Sequence, residues 1–233
     1  MAIQPFLAMT AAEIRDFSVF PAKIAWMACH FSPYGLGLSN LPRTLPPGSI
    51  LMVDDITPPH KHDPELIAAQ LIDCIETRSC CGVLLDFQRP GSEETKHIIH
   101  TLVNTLPCPV AVSELYAEDL CCPVFPAPVP LSVSLQDHLS PWNGREVWLD
   151  LALSGEVITV TERGAASAPL PFPDLSAEGF ADKTLHCHYH TALTEDAAQF
   201  TLWRTREDLN DLLEEAESLG ITTAVGLYQE LHR

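Results

Sequence analysis

At 233 residues, with 46% hydrophobic and 19% charged side chains, the chain can bury one large core or two small ones, and its apolar runs are too short to cross a bilayer. Thirteen basic against 31 acidic residues leave a formal charge of -18, which repels a phosphate backbone and argues against nucleic acid as a partner. The start, MAIQPFLAMTAAEIRDF, has no basic segment leading into an apolar one, so a cytoplasmic location is expected, with the eight cysteines reduced.

In chain order, a short helix is predicted from Thr10 to Asp16, and KIAWMACHF reads as the first core strand. The linker SPYGLGLSNLPRTLPPG holds too many turn residues for a regular helix, so one crossover helix is expected to be replaced by a loop. PPGSILMVDD then ends a second apolar run in Asp54 and Asp55. HDPELIAAQLIDCIETRS predicts a helix with Asp63 as N-cap, Pro64 at its first position and an apolar stripe of Leu66, Ile67, Leu71, Ile72 and Ile75. CGVLLDF is a strand apolar on both faces through Val83, Leu84 and Leu85. GSEETKHIIHTLVNTL is a helix capped by Ser92, PVAVSELY a strand, and LYAEDL at most a helical turn. This alternation from Ser49 to Tyr116 predicts right-handed parallel crossover units.

Past Cys121 the rhythm breaks in a proline-rich stretch. REVWLDLALSGEVITVTERG alternates apolar and polar positions on both sides of Ser154 and Gly155, as an antiparallel hairpin does. TLHCHYHTAL and AAQFTLWRT predict a second hairpin, TREDLNDLLEEAESLG an amphipathic helix ended by Gly220, and ITTAVGLYQEL a last strand. The expected fold is therefore α/β: a single TIM-type barrel domain over residues 1–233, trimmed or distorted, with an irregular proline-rich and hairpin insertion around 121–175.

Parallel sheets covered by helices carry their chemistry just past the carboxyl ends of the strands. Asp86 and Gln88 occupy that place after Leu85, Asp54 and Asp55 after Val53, and Glu114 and Tyr116 after PVAVS. Asp86 and Glu114 are the candidate catalytic acids; Gln88, Asp54, Asp55, Tyr34, Tyr116 and Tyr228 are candidate ligand contacts, with Trp142 a further flat face. Each has a plain alternative as a strand-end cap, a solvated acid or a ring that closes the core. His186, His188 and His190 fall on one face of their strand, and His97 and His100 on one helix face. An exposed hairpin row is the preferred reading of the former over a metal site, since no carboxylate partner is fixed by spacing. No metal or cofactor is expected. The chain has no G-x-S-x-G, Walker loop or G-x-G-x-x-G that would support serine, nucleotide or dinucleotide chemistry.

GVLLDFQRP resembles the fourth barrel strand of chitinase-type (family eighteen) glycoside hydrolases, whose signature runs G-x-x-x-D-x-E. GITTAVGLYQEL is similar to that family's closing strand, in which an aromatic residue floors the sugar site. Position by position, Cys81 and Leu84 stand where the family has acids, Gly82 and Asp86 are kept, and Gln88 occupies the place of the glutamate that protonates the glycosidic oxygen. The resemblance implies an oligosaccharide or other small polar ligand, oriented through its acetamido group by Asp86. It also implies impaired hydrolysis, because a carboxamide cannot donate and reclaim a proton. Two other readings stay open: an active hydrolase with its acid relocated to Glu114 or Asp55, and a scaffold for protein partners.

Overall fold

A computed structural model describes residues 3–15, 23–170 and 179–232. Strand β1 (Phe6–Met9) and the short helix α1 (Ala11–Arg15) precede β2 (Ile24–Phe31), and β3 (Leu38–Ser39) folds back on β2. The chain continues through β4 (Ile50–Asp54), α2 (Pro64–Arg78), β5 (Gly82–Asp86), α3 (Glu93–Thr105), β6 (Val110–Ser113), β7 (Val124–Phe125), α4 (Leu135–Leu139) and β8 (Trp148–Leu151). Five strands follow: β9 (Gly155–Thr161), β10 (Gly164–Pro169), β11 (Phe180–Asp182), β12 (Cys187–Leu193) and β13 (Ala197–Trp203). Helix α5 (Arg206–Ser218), β14 (Thr223–Leu227) and α6 (Tyr228–Leu231) complete it.

Eight strands pair side by side in the order β7-β6-β5-β4-β2-β1-β14-β8, all parallel. A parallel bridge from Val124 to Val147, with the Val124 N–H donating to Glu146 O at 2.9 Å, joins the two ends into a nearly closed barrel. Alternation along each strand sorts the side chains. Phe6, Ala8, Ala25, Ile50, Met52, Leu84, Ala111, Phe125, Trp148 and Val225 form one buried cluster inside the cylinder. Leu51, Val53, Val83, Leu85, Val110 and Val112 face outward and pack with α2 and α3 residues such as Ile67, Leu71, Ile98 and Leu102. Gly82 is required here, because a Cβ on it would come within 2.6 Å of the Trp148 ring.

Local chemistry explains the helices. The Asp63 carboxylate accepts from the Glu65 and Leu66 N–H groups and Pro64 opens α2; Ser92 accepts from the Thr95 N–H at the start of α3. No helix joins β2 to β4: β3 and a loop pinned by the Trp26 indole donating to Asn40 O (2.9 Å) replace it. Among the described residues no helix is long and apolar enough to cross a membrane, and all eight cysteines are free.

Several expectations are corrected. KIAWMACHF is the second barrel strand, because FLAM supplies the first in only four residues; Asp16, the expected end of the first helix, lies outside the described residues. CGVLLDF is accordingly the fourth barrel strand, the place that its resemblance assigned to it. Trp148–Leu151 is no hairpin arm but a barrel strand parallel to β14, with Leu149 and Leu151 packed toward α5. An inward/outward barrel strand carries the same period of two as a hairpin arm, so alternation alone does not separate them. The hairpin is β9–β10, part of an antiparallel sheet ordered β10-β9-β13-β12-β11. That sheet lies between β8 and α5 instead of around 121–175, since β7 and β8 within that span belong to the barrel; residues 171–175 are outside the described ones.

Candidate functional site

Two barrel strands end in aspartates and a third carries one beside its last residue. Asp54 of β4 and Asp86 of β5 are register partners, and both follow inward positions, Met52 and Leu84. Asp150 follows the inward Trp148 on β8. Asp86, Asp150 and Glu230 of α6 share a cavity of about 210 Å³ at the carboxyl ends of the strands, walled by Met27, Met52, Phe125, Val225 and Leu227. It lies below the about 300 Å³ of ordinary ligand pockets, so it admits one small polar group and leaves the rest of a ligand outside.

The acids differ in their partners. Asp86 Oδ1 accepts from the Gln88 amide at 2.5 Å, and Glu230 Oε2 accepts from the Leu153 N–H at 2.7 Å. Among the described residues no hydrogen bond is made to Asp150. Burial pushes its carboxyl up, with Asp86 and Glu230 adding to the rise, to about 7. Burial likewise raises Asp86 above the ordinary carboxylate value; the Gln88 hydrogen bond opposes this, while Asp54 and Asp55 reinforce it. Asp54 is raised by burial too, against the Ile56 N–H that it accepts and the nearby His30.

The other sequence candidates are distributed around this mouth. Asp55 is buried, and its two oxygens accept from the Gln88 and Arg89 N–H groups at 3.0 and 2.9 Å, which fixes the loop that carries Gln88. Tyr116 donates to Arg89 O and meets Phe87 edge-on at 6.2 Å; it lines a neighbouring cavity with Asp55, Arg89 and Ser92. Glu114 opens a 3₁₀ turn after β6 and does not line the acid cavity. Tyr34 is 98% exposed in the loop after β2. Tyr228 packs against the outer cluster, and Leu227 lines the mouth in its place. Trp142 packs under Arg145 at 5.6 Å.

The histidine row is not an exposed face. His186 is buried just before β12 with its Nε2 2.5 Å from Glu215, and His188 Nδ1 is 2.9 Å from Asp208; only His190 is exposed. The row faces α5 because the sheet folds back on that helix, a long-range contact that spacing does not encode. Among the described residues no group of three His, Cys, Asp or Glu could hold a metal.

The residues missed from sequence are Asp150 and Glu230. Asp150 had a signal: VWLD sets an aspartate after three apolar residues, as LMVD and VLLD do. Glu230, one helical turn past β14, had none.

A nearly closed parallel barrel with carboxyls gathered at its carboxyl-end mouth is a TIM-type architecture of the kind that glycosidases use. No family model matches the sequence, and no curated protein matches it. Solved structures do. The class V chitinase of Nicotiana tobaccum, as a glutamate-to-glutamine mutant in complex with NAG4, matches over 100% of this chain and 95% of its own, with a TM-score of 0.62 at 10% identity. A chitinase from Chromobacterium violaceum matches over 95% and 93%, with a TM-score of 0.58 at 11% identity. The spore cortex-lytic enzyme SleL of Bacillus cereus matches over 96% and 70%, with a TM-score of 0.56 at 9% identity. The chain therefore has a chitinase-like TIM-barrel fold, and at these identities the likeness is one of fold.

Proposed function

We propose that the protein binds a carbohydrate or similar small polar ligand at the mouth of its chitinase-like barrel and does not hydrolyse it by the chitinase route. The observation that carries this reading is the Gln88 amide, bound to Asp86 at the end of the fourth barrel strand. In this reading Asp86 orients an acetamido group, while the Gln88 carboxamide has no acidic proton to transfer. The fold likeness adds support: two plant chitinases carrying glutamate-to-glutamine substitutions were solved with N-acetylglucosamine tetramers. Relocation of the acid to Asp55 is not favoured, since both of its oxygens are engaged by backbone N–H groups.

The test is calorimetric titration with NAG4 together with a panel of cello- and xylo-oligosaccharides. Binding of one class, lost in Asp86→Ala with the melting temperature retained, is the expected result. No heat with any member of the panel refutes the reading.

A further inference from the structure

Of the three acids at the mouth, two already receive a hydrogen bond. The Gln88 amide supplies Asp86 and the Leu153 N–H supplies Glu230, so each carboxyl already accepts from a donor of the protein. Asp150 has neither a donor nor a cation among the described residues, and no lysine or arginine lines the cavity. The charged groups that face it are Asp86 from β5 and Glu230 from α6, with Asp54 and Asp55 behind Asp86; the remaining wall is largely methionine, phenylalanine and aliphatic carbon. A third negative charge in that space would meet two like charges and little solvent.

We infer that Asp150 is the proton-bearing carboxyl of the mouth and donates its O–H to an acceptor oxygen, an acetamido carbonyl or a hydroxyl, of the bound ligand. A protonated carboxyl is both donor and acceptor, whereas the oxygens of Asp86 and Glu230 that meet Gln88 and Leu153 act as acceptors. The cavity thus pairs one donor with flanking acceptors and suits a neutral polar group better than an anion. This rests on the reading of the mouth as a sugar site, and it adds which residue selects the ligand and in which protonation state. The rise of Asp150 to about 7 agrees with the geometry.

The experiment is NAG4 calorimetry from about pH 5 to pH 9 on the wild type, Asp150→Asn and Asp150→Leu, with carboxyl-carbon NMR titration of Asp150 in the free protein. If only the protonated form binds well, apparent wild-type affinity falls about tenfold between pH 6 and pH 8, following the competent fraction. Asp150→Asn, which keeps a donor but does not titrate, should lose most of that slope. Asp150→Leu should bind more weakly at pH 6. The NMR midpoint should lie well above the ordinary aspartate range. Wild-type binding that is level across pH, or a slope that survives in Asp150→Asn, overturns the inference and leaves the sugar-site reading standing. No binding at any pH removes that reading and this inference with it.

Discussion

The barrel mouth and the seam between the antiparallel sheet and α5 use the same residue types to opposite ends. At the seam Asp208 and Glu215 each have a partner. Asp208 accepts from His188 (2.9 Å) and from the N–H and hydroxyl of Thr205 (both 2.7 Å), closing the capping box of α5, and Glu215 meets the buried His186. The buried Arg204 donates to the carbonyls of His186, Val129 and Leu185. At the mouth, Asp86, Asp150 and Glu230 share one cavity with Asp54 beside Asp86, and their donors among the described residues are the Gln88 amide and the Ile56 and Leu153 N–H groups. Compensated charge holds elements together. Charge left uncompensated in a cavity costs stability, and a ligand is what such an arrangement can serve.

The largest expected effect tests the mouth's chemistry. Gln88→Glu puts a titratable acid beside Asp86, and release of a chromogenic group from an aryl chito-oligosaccharide should rise by about 10²- to 10⁴-fold over the wild type. No gain would separate the chitinase-like fold from chitinase-like chemistry at this position.

At the seam, Asp208→Ala removes the carboxylate half of the α5 capping box and strands His188, at a cost of about 2–3 kcal/mol in urea unfolding. A change under about 0.5 kcal/mol would mean that the seam contributes little to stability and would erase the contrast drawn above.

The opposite sign is expected at the mouth. Folded Asp150 holds its proton to about pH 7, whereas the unfolded chain releases it near 3.8, so the native state loses stability as pH rises between these values. Asp150→Asn escapes that loss. It should be more stable than the wild type by about 2 kcal/mol at pH 8 and indistinguishable from it near pH 4, as read by thermal denaturation at both pH values. A smaller destabilisation, about 1 kcal/mol, is expected for Glu215→Gln, which keeps a hydrogen-bonding group beside His186 and discards the charge.

Much of the architecture was legible because it is local. Asp63-Pro64, Ser92 and the run GVLLD signal their elements within a few residues, and the resemblance of GVLLDFQRP places that strand fourth in a barrel whose first strand is FLAM. The four residues of FLAM give too short a period to register, and Trp148–Leu151 alternates as a hairpin arm would. That second misreading hid Asp150, because an acid on a hairpin is a solvated acid until its strand is known to line a barrel.

The sequence by itself determined the helices α2, α3 and α5, the apolar core strands β2, β4, β5 and β6, and the aspartates that follow the apolar runs of β4 and β5, because caps, periodicity and turn chemistry act between near neighbours. Only the tertiary structure decided which carboxyls share a cavity and which find a histidine. Those distances arise when β8 closes against β14 and the sheet folds onto α5, and residues tens of positions apart then set one another's charge.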